Sequence, residues 1–430
     1  MKNKMAACLA VIMSICTLSA CQKNEKVVTF KTVDTVGVTA YIAADNGTSA
    51  TTGEEETAIT CKTPETTEAE TTTIRTKHYE TTIPLTLIGG TTAKTSAETE
   101  QTAESTDLTT LPPVTEAVST EEQPEAVQVM SGSYAEIDDS GLMICDIDGH
   151  YWALMPCWGT FGLCESWTEG VNEFKRQLPD VNVYNMVVPT SAEFYLPEGF
   201  DGFTASQWKK AEHIRVRLRD VLNVDAYSAL AAHTNEAIYS RTDHHWMPLG
   251  GYYGAMSFAE CAGVPFADLN QYKKVTRGGF VGYMYMYTKS SLIYNDPEQF
   301  DLYIPPNNDN LKTTYYDGYL SGKREGALIT SPDAGAYYCS FLGADNVVAE
   351  IETDVKNGRT LVIFKESYGN AIVPFLTSSF EKIYVCDIRY FYKNAVQFCS
   401  DVNATDLLFS VCTFTAAGPN GNYLEKILNY

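Results

Sequence analysis

Between positions 182 and 189 the chain reads NVYNMVVP, an apolar, β-branched run closed by a proline, which predicts a buried strand running into the loop PTSAEFYLP. Ahead of it, SWTEGVNEFKRQLPD sets Ser166 and Glu169 at capping-box spacing and Val171, Phe174 and Leu178 on one face, the pattern of a helix starting at Ser166. Behind it, SQWKKAEHIRVRLRDVL repeats Trp208, Ala211, Leu218 and Val221 at helical intervals. The alternation recurs later: TLVIF (360–364) is a strand-length apolar run, KESYGN (365–370) a polar turn, AIVPFLTSSF a short helical stretch, and KIYVCDIRYF the next strand. Strands alternating with helices predict an α/β domain with a central, mostly parallel sheet. In such sheets ligands bind in loops at the carboxyl ends of the strands, and Ser367 falls on that edge.

The pattern is different upstream. Residues 22–125 are dominated by Thr, Glu, Ala and Ser, as in PETTEAETTT, with too little apolar surface to offset the entropy of ordering and with acids that repel one another. This segment is expected to be a disordered tether, with some local order in YIAADNG and TTIPLTLIGG, and residues 126–430 to form one globular domain. At the start, Lys2 and Lys4 precede an apolar run too short for a membrane span, and LSAC follows at 18–21. Residues 1–21 thus resemble a bacterial lipoprotein signal ending in a lipobox. Cys21 would carry diacylglycerol, and since each buried methylene contributes about 0.8 kcal/mol, two acyl chains anchor stably. The expected location is extracytoplasmic and lipid-anchored to the bacterial membrane.

Composition narrows the partners. The 430 residues carry a formal charge of −23, which repels nucleic-acid phosphates, so no nucleic acid is expected as a partner. With 44 % hydrophobic residues there is enough apolar surface for a proper core. Beyond Cys8, Cys16 and Cys21, nine cysteines remain without CxxC or Cys/His ligand spacing. Export permits disulfides, but several of these cysteines read as buried thiols.

The candidate chemistry lies in YSRTDHHWMPLGGYYGAM (239–256), which holds two of the six histidines. If TDHHW is extended, Asp243 and His245 share a face while His244 points away, so Asp243 can fix the tautomer of His245 and leave Nε2 as a base. Pro248 suits the first turn of a helix behind the motif. A polar turn with no chemistry explains the same residues. A metal is not expected: adjacent histidines on a strand diverge, and His78, His150, His213 and His233 lack ligand spacing. Ser367, between a strand and a helix, exposes its Oγ beside backbone N–H groups that can face an oxyanion, with Gly369 allowing close approach and Asn370 offering an amide donor; an N-capping serine fits equally well.

Taken together, YSRTDHHWMPLGGYYGA, VVPTSAEFYLP and LVIFKESYGNAIVPFLTSSFEKIYVCDIRYF closely resemble the bacterial DHHW-motif family, which is similar to the SGNH-hydrolase-like domains of alginate O-acetyltransferases. The resemblance implies a permuted, SGNH-hydrolase-like three-layer α/β domain. By motif, Asp243 and His245 match an Asp-x-His pair and Ser367 the nucleophile, with His244 at x. It further implies acetyl transfer or ester hydrolysis on a cell-surface polysaccharide or exopolysaccharide, an acetyl-serine intermediate, no cofactor, and a membrane-bound O-acyltransferase as acetyl supplier. Arg241 and Arg389 are candidates for binding acceptor carboxylates or hydroxyls, and Trp246 and Tyr368 for stacking on a sugar, although ion pairs and core packing account for such residues too. The competing expectation is a non-catalytic polysaccharide-binding or envelope surface protein on the same fold.

Overall fold

A computed structural model of the protein describes residues 122–430, apart from positions 344 and 346, together with two short strands nearer the start. The chain divides into two units. In the unit Gln22–Pro113, β1 (Phe30–Thr32) pairs antiparallel with β2 (Val38–Ala40). The signal segment with Cys21, and the tether apart from these strands and its last few residues, lie outside the described residues. Among the described residues no helix is long and apolar enough to cross a membrane.

The larger unit is built on an eight-stranded sheet. Its strands are β6 (Asn182–Val188), β7 (Leu222–Asn223), β10 (Lys312–Asp317), β11 (Arg324–Gly326), β12 (Val347–Glu352), β13 (Thr360–Lys365), β14 (Lys382–Asp387) and β15 (Asp406–Cys412), in the order β11-β10-β12-β14-β13-β15-β6-β7. The five from β14 to β7 run parallel, and β12, β10 and β11 extend the sheet antiparallel. Two smaller sheets accompany it, one of β3 (Ser131–Ile137), β4 (Met143–Ile147) and β5 (His150–Leu154), the other of β8 (Lys273–Phe280) and β9 (Glu298–Ile304).

Alternation along the strands makes three layers, because successive side chains leave opposite faces of a strand. Leu361 and Ile363 of β13 enter a core with Ala255 and Phe258, whereas Val362 and Phe364 enter another with Trp167, Val171 and Phe174. Those partners belong to helix α4 (Pro248–Ala262) on one face and helix α1 (Phe161–Gln177) on the other. Pro248 does open α4, and Gly263, at φ 62°, closes it in the left-handed conformation that glycine adopts without strain.

Some local expectations shift. Helix α1 starts five residues before Ser166, capped by Thr160 Oγ1, which accepts the Leu163 N–H; Ser166 lies inside the helix with its hydroxyl donating to Gly162 O. Helix α2 spans only Gln207–Arg215 and buries Gln207, Lys210, Glu212 and Ile214 rather than the face of Trp208 and Ala211. The apolar spacing loses there because polar partners wait inside: the Gln207 amide exchanges two hydrogen bonds with Thr190, and Lys210 donates to Cys157 O. Helix α3 (Ala226–Ala231) packs beside α4. All eight described cysteines are free thiols, six of them buried.

Candidate active site

The turn after β13 forms because the sheet edge captures its polar residues. Lys365 ends the strand directly opposite Asp387 on β14, and its ammonium is 3.0 Å from that carboxylate and 3.3 Å from Asp345. Glu366 folds inward, accepting from Cys412 N–H at 2.7 Å, which ties β13 to the end of β15, and from Tyr368 N–H at 3.2 Å. Ser367 then opens a 3-10 turn, Ser367–Ile372, whose other residues are all buried. KESYGN is therefore mostly interior, with Ser367 left half-buried at the surface. The close approach that Gly369 permits is to Lys365, since a Cβ there would sit 2.4 Å from the Lys365 Cβ.

The Asp-His-His segment is not a strand. Tyr239 and Trp246 form a bridge, and residues 240–245 loop out between them. A buried carboxylate on β9 shapes this loop: Glu298 accepts from Ser240 Oγ, Arg241 N–H, Thr242 N–H and Thr242 Oγ1. Asp243 then accepts from the N–H and Nδ1 of His245 through Oδ1, and from Tyr283 N–H through Oδ2. Gly282 leaves the space Asp243 needs, because a Cβ there would lie 2.5 Å from it.

Loop and turn meet. His245 Nδ1 lies 2.6 Å from Asp243 Oδ1, and His245 Nε2 lies 2.8 Å from Ser367 Oγ. Residues 122 positions apart are thus in line, carboxylate to imidazole to hydroxyl. Tyr338 stacks flat on the His245 ring, 3.8 Å between centroids and 6° between planes, and hydrogen-bonds through its hydroxyl to the carbonyls of Ser367 and Tyr368. Glu366 Oε2 is 3.3 Å from Ser367 Oγ. The DHHW protein family matches over residues 163–386, just over half of the sequence, and that span contains all of these groups.

The chain belongs to the DHHW protein family. A DHHW family protein from Eubacterium siraeum DSM 15702 is 44% identical over 70% of this chain and 98% of its own, with a TM-score of 0.65. Bacillus cereus PatB1 with a sulfonyl adduct is 20% identical over 66% and 98%, TM-score 0.55, and PatB1 without it 17% identical over 66% and 99%, TM-score 0.53. No curated protein matches. This DHHW chain has the mixed α/β, SGNH-hydrolase-like architecture with a mostly parallel central sheet.

For the other candidate residues of the DHHW chain, the structure takes the core-packing and ion-pair readings over sugar or acceptor binding. Trp246 is fully buried, donating from Nε1 to Tyr368 O, and Tyr368 is buried with its hydroxyl on the His244 carbonyl, so neither offers a face to a sugar. Arg241 is tied to Asp296 at 2.6 Å and to the Tyr151, Asp296 and Pro297 carbonyls, where it joins β5 to the segment before β9. Arg389 pairs with Asp387 at 2.6 Å and Asp345 at 3.2 Å, inside the charge cluster under the turn. Asn370 gives one amide N–H to Asp345, and the Tyr368 and Gly369 N–H groups serve Glu366, so the backbone donors expected to face an oxyanion are engaged. Sequence reasoning missed Tyr338, Glu366, Asp345 and Glu298: a lone tyrosine or carboxylate carries no spacing signal, although KES placed Glu366 beside the serine.

His244 also departs from expectation. Because the segment loops, its ring does not point away but lies against His245, 3.9 Å between centroids, with Nδ1 3.6 Å from Asp243 Oδ1. Asp243, His244 and His245 bring ligand atoms within 4.8 Å of one another, compact enough to suggest a metal centre. Both oxygens of Asp243 and both ring nitrogens of His245 are already hydrogen-bonded, however, so a cation would have to break the link to Ser367. Burial would raise the Asp243 carboxyl, but His244, His245 and the hydrogen bonds outweigh it and hold the group well below the usual range.

Burial, reinforced by the charge of His245, pushes His244 down to about 3 against the pull of Asp243 and Asp345. The unfolded chain therefore takes up a proton below about pH 6.5 that the folded one refuses until about pH 3, so stability is full above that window and lost as pH falls through it. His244→Asn is expected to lose less stability than the unsubstituted protein between about pH 7.5 and pH 4.5, measured by urea midpoints. Equal losses would remove His244 from the acid response.

Proposed function

We propose that this protein is an extracytoplasmic carbohydrate O-acetyltransferase or acetylesterase, held at the bacterial membrane by a lipid on Cys21, with Ser367, His245 and Asp243 as its catalytic residues. The observation that carries the reading is the line of short contacts from Asp243 through His245 to the half-buried Ser367 hydroxyl. His245 Nε2 takes the Ser367 proton as Oγ attacks the acetyl carbonyl, and Asp243, accepting from Nδ1–H, stabilises the imidazolium. The imidazolium protonates the leaving oxygen, which departs and leaves acetyl-Ser367; a glycan hydroxyl or water then resolves it by the same proton path. General-base assistance in such a step is worth roughly 10²–10⁴-fold. Tyr338, stacked on His245, is a positioning residue that limits rotation of the ring.

Acetyl as the acyl unit, a cell-surface polysaccharide as acceptor and a membrane-bound O-acyltransferase as supplier are supported by the motif resemblance. One of the solved structures similar to this chain is PatB1 with a sulfonyl adduct. A sulfonyl fluoride is accordingly the test reagent: incubated with the full chain, it is expected to modify the peptide containing Ser367, and an acetyl ester is expected to slow that modification. An unmodified Ser367 in a protein that still binds polysaccharide would replace the enzyme with a non-catalytic binding protein on this fold.

A further inference from the structure

His244 has no part in the proton path just described, yet the fold buries it there. Asp243 Oδ1 lies 2.6 Å from His245 Nδ1 and 3.6 Å from His244 Nδ1, and the two rings face one another with planes inclined by 38°. His245 Nε2 is the atom that meets Ser367, and the His244 ring lies against the ring that carries it. Neither nitrogen of His244 has a hydrogen-bond partner among the described residues, and Nδ1 is sealed from solvent. Buried polar atoms without partners are uncommon and each needs a reason.

Proton accounting gives one. Burial keeps the ring neutral, so it has one donor and one acceptor nitrogen. The ionised Asp243 beside Nδ1 favours the tautomer with the proton there, leaving Nε2 as a bare acceptor. A second orphan repeats the pattern three residues beyond the serine: the Asn370 amide nitrogen is held 2.7 Å from Asp345 Oδ1, which fixes the amide's orientation and leaves its carbonyl oxygen buried with no donor. Asp345 is close enough for its charge to act on both His244 and His245. With Nδ1–H turned to the Asp243 charge, the acceptors left without a donor among the described residues are His244 Nε2 and Asn370 Oδ1, and of the two only Nε2 is not sealed from solvent.

We propose that His244 accepts a hydrogen bond from a second hydroxyl of the acceptor, so that the site selects vicinal diols of the kind a sugar ring carries. The inference rests on acyl transfer through Ser367. One hydroxyl oxygen attacks the acyl carbon while its proton passes to His245 Nε2; the bond from that carbon to Ser367 Oγ breaks, and His245 returns the proton to Oγ. The neighbouring hydroxyl donates to His244 Nε2 throughout, and His244 neither gains nor loses a proton. Water satisfies both nitrogens too but lacks the ring that fixes the two oxygens relative to each other.

The test uses the full chain with 4-nitrophenyl acetate as donor and either cis-1,2-cyclohexanediol or cyclohexanol as acceptor. It reads the initial nitrophenol burst, which reports acylation, and the acetylated product. The diol is expected to be the better acceptor, and His244→Phe to reduce that preference roughly tenfold, the loss falling on transfer more than on the burst. His244→Asn, which keeps an acceptor oxygen, is expected to retain part of the preference. A burst with equal use of both alcohols by the unsubstituted protein overturns the proposal while sparing the serine mechanism, as does a loss of burst as large as the loss of transfer in both variants. No burst in the unsubstituted protein, with Ser367 unmodified by sulfonyl fluoride, removes the serine mechanism and this proposal with it.

Discussion

Ser367→Ala is expected to lower turnover of an acetyl ester by about 10⁴-fold or more, because the line from Asp243 through His245 then ends on a methyl group and no acyl-enzyme can form. His245→Ala should cost nearly as much. The double variant should be scarcely worse than either, since residues acting as one unit do not contribute additively. The fold should survive: Ser367 is half-buried, and Glu366, which organises the turn, still holds Tyr368 N–H and Cys412 N–H. Comparison of kcat/KM for the three variants, with thermal melts as the control, decides the matter. A folded Ser367→Ala protein retaining a tenth of the activity would show that the hydroxyl beside His245 is not the nucleophile.

The largest expected effect on stability lies beneath that turn. Lys365, Asp387, Arg389 and Asp345 form a buried cluster of two cations and two anions joining the ends of β12, β13 and β14, with the Lys365 and Asp387 side chains 1% and 0% exposed. Burial alone would depress the Lys365 ammonium, but Asp387 and Asp345 outweigh it and raise it, so the charge stays on. Lys365→Met keeps most of the volume and leaves two carboxylates facing one guanidinium, and breaking a buried pair this way costs about 3–5 kcal/mol. Urea unfolding of the variant measures it. A loss under about 1 kcal/mol would mean that water or Arg389 compensates the missing charge. Because Lys365 also underlies Gly369, slower modification of Ser367 is expected alongside the loss of stability.

How far the sequence carried depended on whether the signal was periodic. Parallel strands β6, β13 and β14 were legible because apolar runs of strand length bounded by Pro, Gly or charge have few other uses, and α4 because Pro248 marks its start. Ser367, His245 and Asp243 were legible by motif. Boundaries were not: α1 begins at a threonine with no acidic partner, and α2 turns inward a face of Gln207, Lys210 and Glu212 that an apolar count passes over. For Arg241, Arg389 and Asn370 the sequence left two uses open and the fold chose one: a charged or amide side chain near a motif goes to the partner that best satisfies it, and here those partners were Asp296, Asp387 and Asp345.

By itself the sequence determined the alternation of strand and helix, the order of the motifs and which residue types stand at the strand edge, because these follow from local periodicity and composition. Tertiary structure decided which nitrogen meets the serine. The Asp-His-His segment has no strand geometry of its own to separate its side chains; Glu298, 56 and 57 residues downstream of Thr242 and Arg241, gathers their donors into a loop that sets His245 on Ser367 and folds His244 in beside it. Such a choice rests on carboxylates and rings distant in the chain competing for the same few buried hydrogen bonds, and no local pattern records how that competition ends.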